Sequence, residues 1–287
     1  WTVPVLASGY LATGSVSGSL LQAFNLVVGT MIYIPFIRQS ERVQDREFLG
    51  KIKRLEASMN EDERSVWVRD FRWNTYENQQ TAKLLASDLE YALSKGALEL
   101  YYQPQVKRDG TLYGCEALLR WNYMGQGFVY PPLIIALAVQ GDFIGTLGMY
   151  IVEKACRDMA GARTQAGCPV SFSVNILPLE LEDPSFADQV LKILKDTGVE
   201  GSNLTIELTE QVALNPGPNL ERQLEKLRES RVRISMDDFG MGHGSLNYLN
   251  SAHYDEVKID GSLIRRLPEH TQTCELVGNI MNMTRKK

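Results

Sequence analysis

The chain has 287 residues, 44% of them apolar and 23% charged, with a net charge of −5 and a pI near 5.4. That balance suits a chain with one good core and argues against a surface for nucleic-acid polymers. Four scattered cysteines (Cys115, Cys156, Cys168, Cys274) without a CxxC, and only three histidines (His243, His253, His270), exclude a disulfide framework, a zinc site and a His-rich metal centre.

From Trp1 to Ile37 no residue is charged. Within that run, Leu20 to Ile37 makes a helix of roughly 27 Å, close to the roughly 30 Å of a hydrocarbon core. A transmembrane segment is predicted over residues 1–38, since a signal peptide would need a basic start and a shorter apolar centre. Between Arg38 and Arg54 six basic residues face three acidic ones, which places that flank, and all that follows, on the cytoplasmic side of the inner (cytoplasmic) membrane. The chain starts with Trp1 and ends in "NMTRKK", so a fragment of a longer protein is expected. Residues 39–83 read as a charged helical linker. In it Phe48, Ile52, Leu55 and Met59 form a stripe, either for packing within one domain or for a homodimer.

After Gly96 the pattern alternates. Strands are predicted in "LELYYQPQV", "LYGCEALLRW", "VSFSVNI", "NLTIELTE", "VRISMDDF" and "DEVKID". Their apolar character on both faces suits a covered, parallel sheet. One helix should start near Asp183 and Pro184, bury Phe186, Val190 and Leu194, and stop at Gly198. The next should bury Leu220, Leu224 and Leu227. Such alternation predicts an α/β fold, either a (β/α)8 TIM-like barrel or an open doubly wound sheet, and no GxGxxG follows a strand to support a dinucleotide fold.

The strand ends carry Glu116, Asn175, Glu207, Asp237 with Asp238, and Lys258, from five different runs. In a barrel these ends open onto one face. Carboxylates with an amide oxygen form a hard-oxygen set suited to Mg²⁺ or Mn²⁺. Adjacent aspartates can bridge a two-metal site of the kind used on phosphodiesters. Lys258 could hold the attacking water, and Arg120, on the same side as Glu116, could grip a phosphate oxygen. Each residue also has an ordinary reading: a surface Glu, a turn Asn, a solvated Lys, and an Asp-Asp-Phe-Gly turn.

Together "CEALLRW", "SVNI", "IELTE", "MDDFG" and "VKID" resemble the EAL domain, a cyclic di-GMP phosphodiesterase, over residues 84–287. The resemblance implies metal ligands at Glu116, Asn175, Glu207, Asp237 and Asp238, and Lys258 beside the nucleophilic water. It implies substrate contacts at Gln103, Leu118 and Arg120, and Glu210 as the anchor of a mobile glycine loop after Asp238. The reaction implied is hydrolysis of cyclic di-GMP to linear pGpG. Residues 1–38, through "GYLATGS" and "IYIPF", also resemble the end of the permease component of cellobiose/lactose-type phosphotransferase sugar transporters.

Three departures stand out. Leu98 to Lys287 is 190 residues, short of the roughly 250 of a typical barrel, so the domain is expected to lack its last strands, with the family's further metal-site glutamate and a substrate-contacting Gln. Ala138-Val139 stands where the family has an "AE" pair. Met241-Gly242-His243-Gly244 replaces an aromatic and serine loop. Three readings compete: a metal-dependent phosphodiesterase, a cyclic di-GMP-binding regulatory module of a sugar transporter, and a transport component with an inert cytoplasmic part. Turnover selects the first, binding without product the second, and neither selects the third.

Overall fold

The computed structural model describes residues 48–57, 59, 75–125, 127–164, 167–210, 217–240, 254–267, 274–275, 277–278 and 280–281. The expected membrane segment at 1–38 and the glycine loop after Gly240 lie outside the described residues. Among those described, no helix is long and apolar enough to cross a membrane. The chain divides into two compact units, residues 1–58 and 59–287.

In the first unit, helix α1 (residues 48–57) is amphipathic. Ile52 and Leu55 are buried, while Lys53 and Arg54 between them are exposed. That i, i+3 spacing puts both apolar side chains on one face.

The second unit opens with α2 (Tyr76–Ser94), capped by the Thr75 hydroxyl, which accepts from the Asn78 amide at 3.1 Å. The helix crosses residue 84, where the sequence placed the start of the domain. Six strands follow in sheet order: β1 (Glu99–Val106), β2 (Leu112–Arg120), β3 (Ser171–Asn175), β4 (Leu204–Thr209), β5 (Arg233–Phe239) and β6 (Glu256–Ile259). All six predicted strands are present. From β2 onward each is parallel to the next, but β1 runs antiparallel to β2. The expectation of an all-parallel sheet is corrected there, and the cause is the short turn between the two strands. Asp109 accepts from the Thr111 amide at 3.0 Å, Gly110 takes φ 82°, and Lys107 N–H bonds Thr111 O at 2.8 Å. A turn that short makes a hairpin, whereas a parallel partner needs a crossover of a dozen residues or more.

The crossovers from β2 to β5 are helical: α3 (Pro131–Gln140) and α4 (Ile144–Met159), then α5 (Pro178–Leu181) and α6 (Phe186–Thr197), then α7 (Pro218–Glu229). α6 buries Phe186, Val190 and Leu194 and ends at Gly198 with φ 69°, a left-handed stop that glycine adopts without strain. Its N-cap is Ser185, two residues after Asp183, whose carboxylate accepts from the Ser185 amide at 2.8 Å. In α7, Leu224 and Leu227 are buried with Gln223, and Leu220 is half-buried. α8 (Gly261–Arg266) follows β6. Beyond it, Ile280 packs with Met236 and Phe239 on the outer side of β5. No seventh or eighth strand lies among the described residues.

The sheet is rolled rather than flat. Arg233, at the start of β5, donates to the Tyr113 hydroxyl of β2 at 2.7 Å, and that hydroxyl donates to Glu256 of β6 at 3.3 Å. In a flat sheet, strands three places apart lie about 14 Å from each other. Lys258 of β6 also lies 3.0 Å from Glu116 of β2, four places away and about 19 Å distant in a flat sheet, so the sheet has barrel-like curvature and its carboxyl ends gather.

Candidate active site

Pairing register decides which residues share the inner face. Glu116 on β2 lies opposite Gln103 on β1 and Ser173 on β3, and Glu207 on β4 lies between Asn175 and Ser235. Because strand side chains alternate, the inner row of each strand can be read two residues at a time. Gly114, Ser173, Thr205, Ser235 and Glu256 each stand two residues before Glu116, Asn175, Glu207, Asp237 and Lys258. A layer of small or polar groups thus lies beneath the carboxylates. Ser173, Thr205 and Ser235 are buried there. The first reading of the residues missed this layer, although its signal, Ser173, Thr205 and Ser235 two places before Asn175, Glu207 and Asp237, was visible.

The upper layer converges on Lys258. Its ammonium lies 3.0 Å from Glu116 Oε2 and also pairs with Glu207 Oε1, while Asn175 Nδ2 donates to Glu116 Oε1 at 2.9 Å. Four strands therefore meet in one linked cluster. Glu207 is fully buried, and neither of its oxygens has a hydrogen bond of sound geometry, although the Ser173 hydroxyl lies beside it. Burial pushes its carboxyl up to about 7 against the pull of the ammonium. Burial also works against the Lys258 charge, but Glu207, Asp237 and Glu116 outweigh it and hold Lys258 above the ordinary lysine value.

Asp237 acts on Lys258 through space, being half-buried on the inner row of β5. Asp238 is exposed, at φ 55°, inside a register shift between Met236 and Phe239. In a regular strand two neighbouring aspartates must face opposite sides. The bulge and the left-handed backbone break that alternation at Asp238. Glu210, itself buried, accepts from the Gly240 amide at 2.9 Å and so holds the backbone two residues beyond Asp238.

Gln103 is exposed on β1, and Leu118 and Arg120 are half-buried on β2. Leu118 pairs with Tyr101 and Arg120 with Glu99, so all five share a face with Glu116. Arg120 donates to the Leu119 carbonyl at 2.8 Å. At the positions of the family's "AE" pair, Ala138 is buried and Val139 half-buried in α3, leaving no carboxylate there.

Among the described residues no three Asp, Glu, His or Cys side chains converge closely enough to hold a metal as they stand. The Lys258 ammonium sits between Glu116 and Glu207, and its charge offsets theirs. The donor chemistry nonetheless fits a hard cation: oxygen donors only, one of them the fully buried Glu207 carboxylate.

Residues 86–287 match the EAL domain. The chain belongs to the EAL-domain family. Curated relatives include the oxygen sensor protein DosP of Escherichia coli, 33% identical over 70% of this chain and 26% of its own length. Another is the cyclic di-GMP phosphodiesterase NbdA of Pseudomonas aeruginosa, 32% identical over 70% of this chain and 26% of its own. The chain thus spans about a quarter of the length of these curated relatives. Among solved structures, the PaMucR phosphodiesterase in complex with c-di-GMP matches with a TM-score of 0.63 and 32% identity, over 71% of this chain and 83% of that one. The cAMP-bound EAL enzyme Bd1971 matches with a TM-score of 0.65 and 25% identity, over 73% and 59%. These likenesses bear out the TIM-like EAL fold. Nothing in them supports the sugar-permease resemblance of residues 1–38.

Proposed function

We propose that this domain hydrolyses one phosphodiester of cyclic di-GMP to linear pGpG with a divalent cation. The observation that carries the reading is the single cluster in which Lys258 meets Glu116 and Glu207 while Asn175 holds Glu116. Family membership and the named phosphodiesterases among its relatives support it.

Glu116, Asn175, Glu207, Asp237 and Asp238 would hold Mg²⁺ or Mn²⁺. Such a cation, when bound, lowers the pKa of a water and offsets charge on phosphoryl oxygens. The protein's own part is placement. Lys258, beside Glu116 and Glu207, orients the attacking water. Arg120 grips a phosphoryl oxygen from the same face, with Gln103 and Leu118 bordering the dinucleotide. Glu210, through Gly240, steadies the root of the loop after Asp238. We further propose that residues 1–38 tether the domain to the cytoplasmic face of the inner membrane, where a sugar permease module regulates it. The support for the tether is the uncharged run itself, and for the permease the two short motifs.

The test is product analysis on the complete protein with Mg²⁺ and with Mn²⁺. Linear pGpG should accumulate, and Glu116→Ala should lower turnover by about a thousandfold or more. A protein inert with both metals refutes the enzyme. Calorimetric binding of cyclic di-GMP without product selects the regulatory module instead.

A further inference from the structure

Above the cluster, toward the mouth, two aromatic side chains stand open. Tyr101 is 47% exposed and Phe128 45% exposed. Their rings meet edge to face, with centroids 5.6 Å apart and planes at 77°. The Arg120 guanidinium lies over the Tyr101 ring, 5.8 Å from its centroid.

Register places this pair in the site. Tyr101 is opposite Leu118, one pleat repeat, roughly 7 Å, beyond the Gln103–Glu116 pair in the direction of the parallel strands' carboxyl ends. Phe128 arrives from the loop after β2, and its position is set by the backbone. Asn122 and Phe128 form an antiparallel bridge, Val129 N–H bonds Trp121 O at 3.0 Å, Tyr123 N–H bonds Gly127 O at 2.9 Å, and Gly127 N–H bonds the Asn122 side chain at 3.2 Å. Two rings from separate segments are thus held together and half in water, beside a cation already assigned to phosphate.

We propose that Tyr101 and Phe128 form the stacking platform for one guanine of cyclic di-GMP. The inference rests on the cyclic di-GMP reading above. A purine presents a wide π-face, and aromatic side chains beside a cation are a common protein answer to it. An exposed aromatic pair already held edge to face also loses little conformational freedom when the base arrives. Stacking of this kind contributes to binding in ground and transition states alike, so its loss raises KM and leaves kcat.

The experiment compares the unchanged protein with Tyr101→Leu, Tyr101→Phe and Phe128→Ala by steady-state kinetics on cyclic di-GMP, in the complete chain. Tyr101→Leu and Phe128→Ala should each raise KM by about tenfold or more, with kcat within about twofold. Tyr101→Phe, which keeps ring and cation contact, should stay near the parent. Unchanged KM in both ring-deleted variants overturns the platform. A fall in kcat with unchanged KM also overturns it, since the pair would then act on the chemistry through Arg120. If the unchanged protein turns nothing over, the hydrolysis reading fails separately, and calorimetry with cyclic di-GMP decides the platform. A tenfold weaker Kd in both variants supports it, and an equal Kd, or no binding by the parent, overturns it.

Discussion

The two ends of the rolled sheet use similar groups for different ends. At the amino ends of the strands, Arg233, Tyr113 and Glu256 join β5, β2 and β6, with the Arg233 guanidinium also 5.5 Å from the centre of the Tyr113 ring. One cation meets one carboxylate there through a hydroxyl, at partly exposed positions, and the charges balance. At the carboxyl ends, one cation, Lys258, faces Glu116, Glu207 and Asp237, and Glu207 is fully buried. A balanced triad ties strands together. A surplus of carboxylate around one fully buried member is costly to fold, and it suits a multivalent cation.

The largest effect should come from deleting the cation at the crowded end. Lys258→Met should reduce cyclic di-GMP turnover by about a thousandfold. In chelator it should also cost on the order of 3 kcal/mol of stability, because Glu116 and Glu207 lose their shared partner. Thermal melts should show part of that loss recovered by Mg²⁺ or Mn²⁺. Equal melting of variant and parent in chelator would remove the contrast between the two ends.

Glu180 sharpens the comparison from a third place. It is buried in α5, it accepts from the Leu177 amide at 2.7 Å, and its other oxygen faces Gly148 of α4 with no hydrogen bond. Burial pushes its carboxyl from 4.5 up to about 8. Below about 4.5 both folded and unfolded chains hold the proton. Between there and about 8 only the folded chain does, so stability falls as pH rises through that window and levels off above it. The slope is at most about 1.4 kcal/mol per pH unit. Glu180→Gln should flatten the melting temperature between pH 5 and 8, and a parent profile equally flat would contradict the burial argument.

The smallest effect is expected at the balanced end. Tyr113→Phe keeps the ring under Arg233 and removes the hydroxyl that joins Arg233 to Glu256. It should lower stability by about 1 kcal/mol and leave KM and kcat unchanged. A change in either kinetic constant would show that the two ends are coupled.

Much of this was legible in the residues. The six strands followed from apolar runs of the right length, and α6 from its Asp183 signal, apolar face and glycine stop. Glu116, Asn175, Glu207, Asp237 and Lys258 could be singled out because each is a polar group in the later part of an apolar run, and parallel strands with short crossovers must share an exit face; the structure places Asn175 at its strand's end and Glu116 mid-strand in β2. What stayed hidden depends on neighbours remote in sequence. The antiparallel β1 depends on a turn competing with a crossover. The facing of Asp238 depends on a bulge whose register is set by β6. Tyr101 and Phe128 read as unremarkable until the loop after β2 brings them together.

The sequence by itself determined the local periods and the chemistry available, because burial pattern and donor type are properties of short stretches. Only the tertiary structure decided how that chemistry is joined. Lys258 can neutralise Glu116, 142 residues away, only because curvature closes a distance that a flat sheet would leave open, and burial then sets how strongly each charge is felt.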